Sequence, residues 1–190
     1  MNNLELLEGR VSVPMLSEPA PPPEVVERAI RAAIRAPDHG QLRPWRFLTI
    51  RGESLDRLGE LFVKAGVAQE PALGDKDFAK LRKMPHRAPM IIVAIVRLQE
   101  NPKVPANEQR LSAGAAVMNM MLSLHAQGYG CMWRTGWLAY DPVVSKGLGL
   151  SDHEEVAGFI YVGSATGRER QAPQLDPAEF CQAWNGADAD

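Results

Sequence analysis

Apolar residues recur at helical spacing in three places. Val26, Ile30, Ala33 and Ile34 follow Pro23, which suits a first helical turn, and predict an amphipathic helix over 23–35. Leu55, Leu58, Leu61, Phe62 and Ala65 share one side of a second helix, for which Ser54 is the expected N-cap. Leu4 and Leu7 share a face in a shorter helix over 3–9. Elsewhere the pattern changes to continuous apolar runs. Pro89 to Leu98 is rich in Ile and Val and reads as a strand buried on both faces. Phe47–Arg51, closed by Gly52, and Val156–Val162, closed by Gly163, read as further strands.

The segment from Ala106 to Gln127 fits neither pattern. It reads SAGAAVMNMMLSLHAQG from Ser112, apolar almost all the way round, and such a helix lies inside a core or an interface. Ala113, Gly114, Ala115 and Ala116 permit close packing. Asn119 and Ser123 interrupt the run, and Arg110 and His125 flank it, so it falls short of the roughly 20 apolar residues of a membrane span. Gly128 and Gly130 are expected to end it. Asp141 with Pro142 marks the start of a short helix ending near Gly149. Residues 67–86 are polar and broken, with a short helix expected around 76–84, and suit either a mobile cover or a surface excursion. A Pro-rich connector runs from Glu18 to Pro23, and the tail beyond Arg168 has few apolar anchors, so it is loosely attached or packs on another subunit.

No linker or repeat divides the 190 residues, and one domain over 1–190 is expected, with 45% hydrophobic residues to build its core. The net charge of −2 offers no basic field for nucleic acid. Cys131 and Cys181 form no C-x-x-C or Cys/His cluster, so no metal site is expected. The N-terminus lacks a basic start and a cleavage site, and a cytoplasmic protein without a membrane partner is the expectation. Phosphate-loop, dinucleotide and nucleophile-elbow motifs are missing. What remains is a set of arginines at element ends, among them Arg10 beside Ser12, a pairing suited to a phosphate. The loop RAPDHGQLRPWRF, from Arg35 to Phe47, adds a carboxylate, an imidazole, an amide and a guanidinium between Pro37 and Pro44.

Four segments, in this order, resemble the nitroreductase family of FMN-dependent oxidoreductases. Arg10-Val11-Ser12 is similar to the family's Arg-Arg-Ser phosphate motif. Ala36-Pro37 through Arg43-Pro44-Trp45-Arg46-Phe47 is similar to its Ala-Pro-Ser-x-x-Asn-x-Gln-Pro-Trp-x-Phe segment. The Ala/Gly-rich helix leads to Gly128-Tyr129-Gly130 and Trp133, and Ile160-Tyr161-Val162-Gly163 is followed by Arg168. Arg-Ala-Pro-Asp-His matches the short, single-domain, YdjA-like branch of NAD(P)H nitroreductases.

The resemblance implies an α+β fold, a mixed and mostly antiparallel sheet flanked by helices, in an intertwined homodimer with FMN at the subunit interface. It implies an enzyme that takes electrons from NADH or NADPH and passes two to a small-molecule acceptor, a nitroaromatic or a quinone. Carried over by position, Arg10, Val11 and Ser12 match the phosphate motif, with Arg10 and Ser12 holding the phosphate and Arg168 assisting. Trp133, Arg134 and Thr135 run along the flavin. Arg35 and His39 approach it, His39 from the partner subunit, and Pro44 packs near the ring. Chemistry then resides in the cofactor, and no side chain is assigned a catalytic step; Arg35 and Arg134 would tune the flavin. Val11 and Pro14 depart from the phosphate motif, and Gln41 and Arg43 replace the family's asparagine and glutamine. A flavin-binding protein for storage or sensing, or a flavin-fold enzyme with another reaction such as flavin cleavage, are the alternative readings.

Overall fold

The structure is a computed structural model that describes residues 3–168 and 170–186. Its centre is the run that reads as a two-faced strand, β3 (Met90–Arg97), flanked by β2 (Trp45–Arg51) and β5 (Glu154–Ala165). The long β5 also pairs with β4 (Gly130–Arg134) and, at its far end, with the two-residue β1 (Leu16–Ser17). Every strand pairing among the described residues is antiparallel.

Alternation along β3 feeds two cores. Ile91, Val93 and Ile95 join Phe62, Leu58 and Val144 from α3 (Glu53–Gln69) and α6 (Pro142–Gly147). Met90, Ile92 and Ala94 join Ala29 and Ala33 from α2 (Pro23–Ala33), and Ala116, Val117, Met120, Met121 and Leu124 from α5 (Ala106–Ala126). The sheet is thus covered by helices on both faces, which explains why β3 tolerates no polar residue between Met90 and Val96.

Only one side of α5 reaches this core. Its buried residues fall at Ala113, Ala116, Val117, Met120, Met121 and Leu124, the spacing of a single helical stripe. Leu111 and Met118 remain 66% and 39% exposed on the other side, and Ala115 and Leu122 are half-buried. The all-round apolarity therefore leaves an outer stripe with no cover inside the protomer.

Several boundaries differ from expectation for local reasons. Helix α3 starts after Gly52, whose left-handed φ of 57° turns the chain directly out of β2, so Ser54 lies inside the first turn and caps nothing. Helix α2 stops at Ala33 because Arg35 and Ala36 donate to Ala32 and Ala33, tightening the last turn before Pro37. Gly130 belongs to β4, not to a helix end, and a Cβ there would strike Leu16 and Val13. Within 67–86, α4 (Asp75–Lys83) packs on α3 so closely that a side chain at Gly59 would meet the Arg82 backbone. Asp141 caps α6 as expected, accepting from the Val143 and Val144 amides. In the tail Leu175, Phe180 and Trp184 are exposed.

Candidate functional site

Helix α1 (Asn3–Gly9) delivers Arg10 to the start of β4, where the Val13 amide donates to the Cys131 carbonyl at 3.0 Å. This segment, the end of α5 and the chain after β5 enclose a cavity of about 660 Å³. Val11, His125, Tyr129, Cys131, Arg168 and Arg170 line it. Arg10 is half-buried, and its Nε and Nη1 are buried with no hydrogen-bond partner. The Nε2 of His125 is buried and unpartnered too. Buried polar groups are nearly always paired, so these atoms are the anomaly of the region. A guanidinium with unfilled N–H groups is the donor set that suits an anion with several oxygens, as a phosphate has, and Arg168 and Arg170 line the adjoining cavity. Val11 and Arg168 contribute wall, and Ser12 is half-buried beside Val11.

Cys131 is inert in this setting. Burial pushes its thiol up to about 11, against the opposing pull of the Arg10 charge.

Along β4, Arg134 points to the opposite face from Cys131. Its guanidinium carbon lies 5.6 Å from the Tyr161 ring centre, and its Nε is buried and unpartnered. Burial raises the Tyr161 pKa, against the pull of Arg87 and Arg134. Trp133 is 37% exposed and donates from Nε1 to the Ala157 carbonyl at 3.1 Å, over Gly158, where a Cβ would collide with the indole. Thr135 is exposed just past the strand.

The loop after α2 lies at the other end of α5. His39 Nδ1 is 2.7 Å from Glu108 Oε2 in the first turn of that helix. The Asp38 carboxylate accepts from the Leu42 and Arg43 amides at 3.1 and 2.7 Å. Pro44 is buried, and its carbonyl accepts from the Arg97 amide at 3.1 Å; Arg35 is exposed. Glu108 and His125 stand on one helix, so at about 1.5 Å of rise per residue the two ends lie about 26 Å apart. Of the residues singled out in the sequence, Val11 and Arg168 line this cavity and Arg10 and Ser12 lie in the segment that borders it; Trp133, Arg134 and Thr135 do not line it, and Arg35, His39 and Pro44 lie away from it within the protomer.

The model described as Nitroreductase family matches residues 7–164. The chain belongs to this family. It is 42% identical over 164 residues to the Escherichia coli K12 protein named "Putative NAD(P)H nitroreductase YdjA", covering 86% of this chain and 88% of that one. Its fold is similar to the crystal structure of a nitroreductase-like family protein from Bacillus cereus, at TM-score 0.82 and 20% identity, covering 98% and 97% of the two chains. The FMN and NADPH-dependent nitroreductase NfnB of a Sphigopyxis strain superposes at TM-score 0.76 and 18% identity, covering 98% and 100%. The family and its fold agree with the sequence reading; among the described residues no helix is long and apolar enough to cross a membrane.

Two features of the site escape sequence reasoning. His125 ends an apolar helix and gives no sign in the sequence that its ring is shut inside a cavity wall. Gln109 is the one buried polar side chain among the described residues, 1% exposed, and it occupies an ordinary helical position.

Proposed function

We propose that the protein is an FMN-dependent oxidoreductase that takes electrons from NADH or NADPH and delivers two to a nitroaromatic or quinone-type acceptor. It works in the cytoplasm as a homodimer with FMN between the subunits. The observation that carries this reading is the buried Arg10 guanidinium, with two unpartnered nitrogens beside a cavity of about 660 Å³ that holds Arg168 and Arg170. That volume lies within the range of small-molecule and cofactor pockets. NAD(P)H and FMN dependence in the names of relatives and neighbours supports the choice of cofactors.

Arg10 supplies charge-assisted donors to the phosphate, Ser12 adds a hydroxyl, and Arg168 closes the open side. The bound flavin supplies the hydride-accepting and electron-donating chemistry. Arg134, with its buried and unpartnered Nε, is a cation for the polar edge of the ring system, and Arg35, exposed at the other end of α5, is the second and comes from the partner subunit. Trp133 and Thr135 form the adjoining wall. Two features support the dimer. The outer stripe of α5, with Leu111 and Met118 exposed, needs cover, and the separation of His39 from Arg10 requires a second chain to bring the loop to the cofactor. His39 and Pro44 then serve the partner's site.

The purified protein is expected to be yellow, or to become so with added FMN, and to bleach with NADH or NADPH under anaerobic conditions. Protein that stays colourless and rejects FMN overturns the proposal. Yellow protein that neither reductant bleaches assigns storage or sensing instead, and loss of the flavin spectrum in air after bleaching assigns flavin cleavage.

A further inference from the structure

The loop from Asp38 to Arg43 holds an unusual backbone. Gly40, Gln41 and Arg43 all have left-handed φ, at 73°, 55° and 50°. Glycine adopts this region freely, whereas glutamine and arginine rarely do, and such residues persist only where their surroundings over-determine them. Here the surroundings do. Asp38 takes the Leu42 and Arg43 amides from inside the loop. The side chain of Gln99 donates to the Leu42 carbonyl at 2.6 Å from outside it. Gln99 is fixed in turn by Gln109, whose Oε1 accepts from the Gln99 amide at 2.9 Å. The Nε2 of Gln109 donates to the Gln99 and Val104 carbonyls at 2.9 and 3.1 Å. Val104 lies against Gly40, and Asn101 holds the segment between by accepting from the Lys103 and Val104 amides. The preceding residue on α5, Glu108, meets His39. Two consecutive residues in the first turn of one helix thus secure both sides of the loop.

We propose that Gln109 is a positioning residue: acting through Gln99 and Leu42, its buried amide holds the left-handed Gln41–Arg43 turn, and with it His39, in the shape that meets the cofactor and acceptor. This rests on the flavin reading above and extends it to residues that touch neither. A buried amide with every bond made to backbone groups is a rigid anchor, because each partner it lost would be left buried and unpaired. Gln99 transmits that rigidity to an exposed loop whose side-chain restraints are otherwise those of Asp38 and His39 and the packing of Val104 on Gly40. Catalysis is sensitive to such placement, since small displacements of site groups lower turnover without touching the chemistry.

Two variants test this. Gln99→Ala removes the exposed link and leaves the core intact; Gln109→Met removes the anchor itself. Amide hydrogen exchange over residues 40–43 reads the turn without any cofactor, and steady-state kinetics with NADPH and a quinone read its use. The expected result for Gln99→Ala is at least tenfold faster exchange at the Leu42 and Arg43 amides with β3 unchanged. FMN stoichiometry stays at the wild-type value, and kcat/KM for the acceptor falls roughly tenfold. Gln109→Met shows the same pattern or a stronger one. Unchanged exchange in Gln99→Ala overturns the proposal, and so does faster exchange with unchanged kcat/KM. Failure of the flavin reading is seen separately, as wild-type protein that binds no FMN.

Discussion

Replacing Arg10 by methionine separates a cofactor-binding arginine from a structural one, because the two roles predict opposite signs. The Arg10 Nε and Nη1 are buried without partners, so in the flavin-free protein they stabilise nothing and carry a desolvation penalty of roughly 1–3 kcal/mol. Methionine fills similar space without those donors. Flavin-free Arg10→Met is therefore expected to melt at or above the wild-type temperature, where each kcal/mol moves the midpoint of a chain this size by about 2–4 °C. Binding reverses the balance. Two charge-assisted hydrogen bonds to phosphate, at roughly 1.5–3 kcal/mol each, amount to about 3–6 kcal/mol. At about 1.4 kcal/mol per decade the FMN Kd weakens by roughly 10²- to 10⁴-fold. Quenching of flavin fluorescence on titration gives the Kd, and melting curves with and without FMN give the second measure, since ligand stabilisation follows RT ln(1 + [L]/Kd). Wild-type affinity in Arg10→Met, or a fall of more than about 4 °C in the flavin-free midpoint, refutes the reasoning.

Three further outcomes test other parts of the molecule. Glu154 accepts from Arg46 at 2.6 and 2.8 Å and from the Ser151 amide, and the Arg46 hydrogen bonds hold its carboxyl down to about 2. A depressed folded-state pKa contributes stability above the unfolded value, near 4.5, that is lost as pH falls toward 2. Unfolding free energies from urea titrations between pH 6 and 3 should therefore decline more in wild type than in Glu154→Gln, by about 2 kcal/mol over that range; parallel curves would remove Glu154 from the account. Gly158→Ala places a methyl against the Trp133 indole, so it should cost about 1–3 kcal/mol and change the near-UV circular dichroism, and an unchanged spectrum would show that the indole does not lie over Gly158. Met118→Glu puts a charge on the outer stripe of α5, which is expected to shift the protein toward monomer in sedimentation velocity and to lower FMN occupancy; an unchanged sedimentation coefficient would place the subunit contact elsewhere.

How much of this was readable in the chain depends on what each residue's signal encodes. Periodicity reports which side of an element is buried, so α2, α3 and the two-faced β3 follow directly from Val26, Ile30, Leu58, Phe62 and the Ile/Val run. It reports nothing about a strand of two residues, and β1 is missed for that reason. It also misleads where a glycine serves contact rather than punctuation: Gly130 looks like a helix stop but lies inside β4 because Leu16 and Val13 crowd its Cα. Gly52 takes the cap from Ser54 in the same way, since a reversal straight out of β2 needs positive φ more than it needs a hydroxyl. The site is less legible still. Family resemblance points to Arg10 and His39 together, yet order along the chain does not reveal that the His39 loop meets one end of α5, at Glu108, while the cavity lies at the other, at His125, about 26 Å along the helix. That separation, with Leu111 and Met118 exposed on the helix between the two ends, is what supports the proposed dimer. In the proposed homodimer, His39 of one copy serves the cavity beside Arg10 of the other. Arg10 and His39 variants mixed in one heterodimer should then restore one working site of the two, whereas a site built within a single chain would show no such complementation.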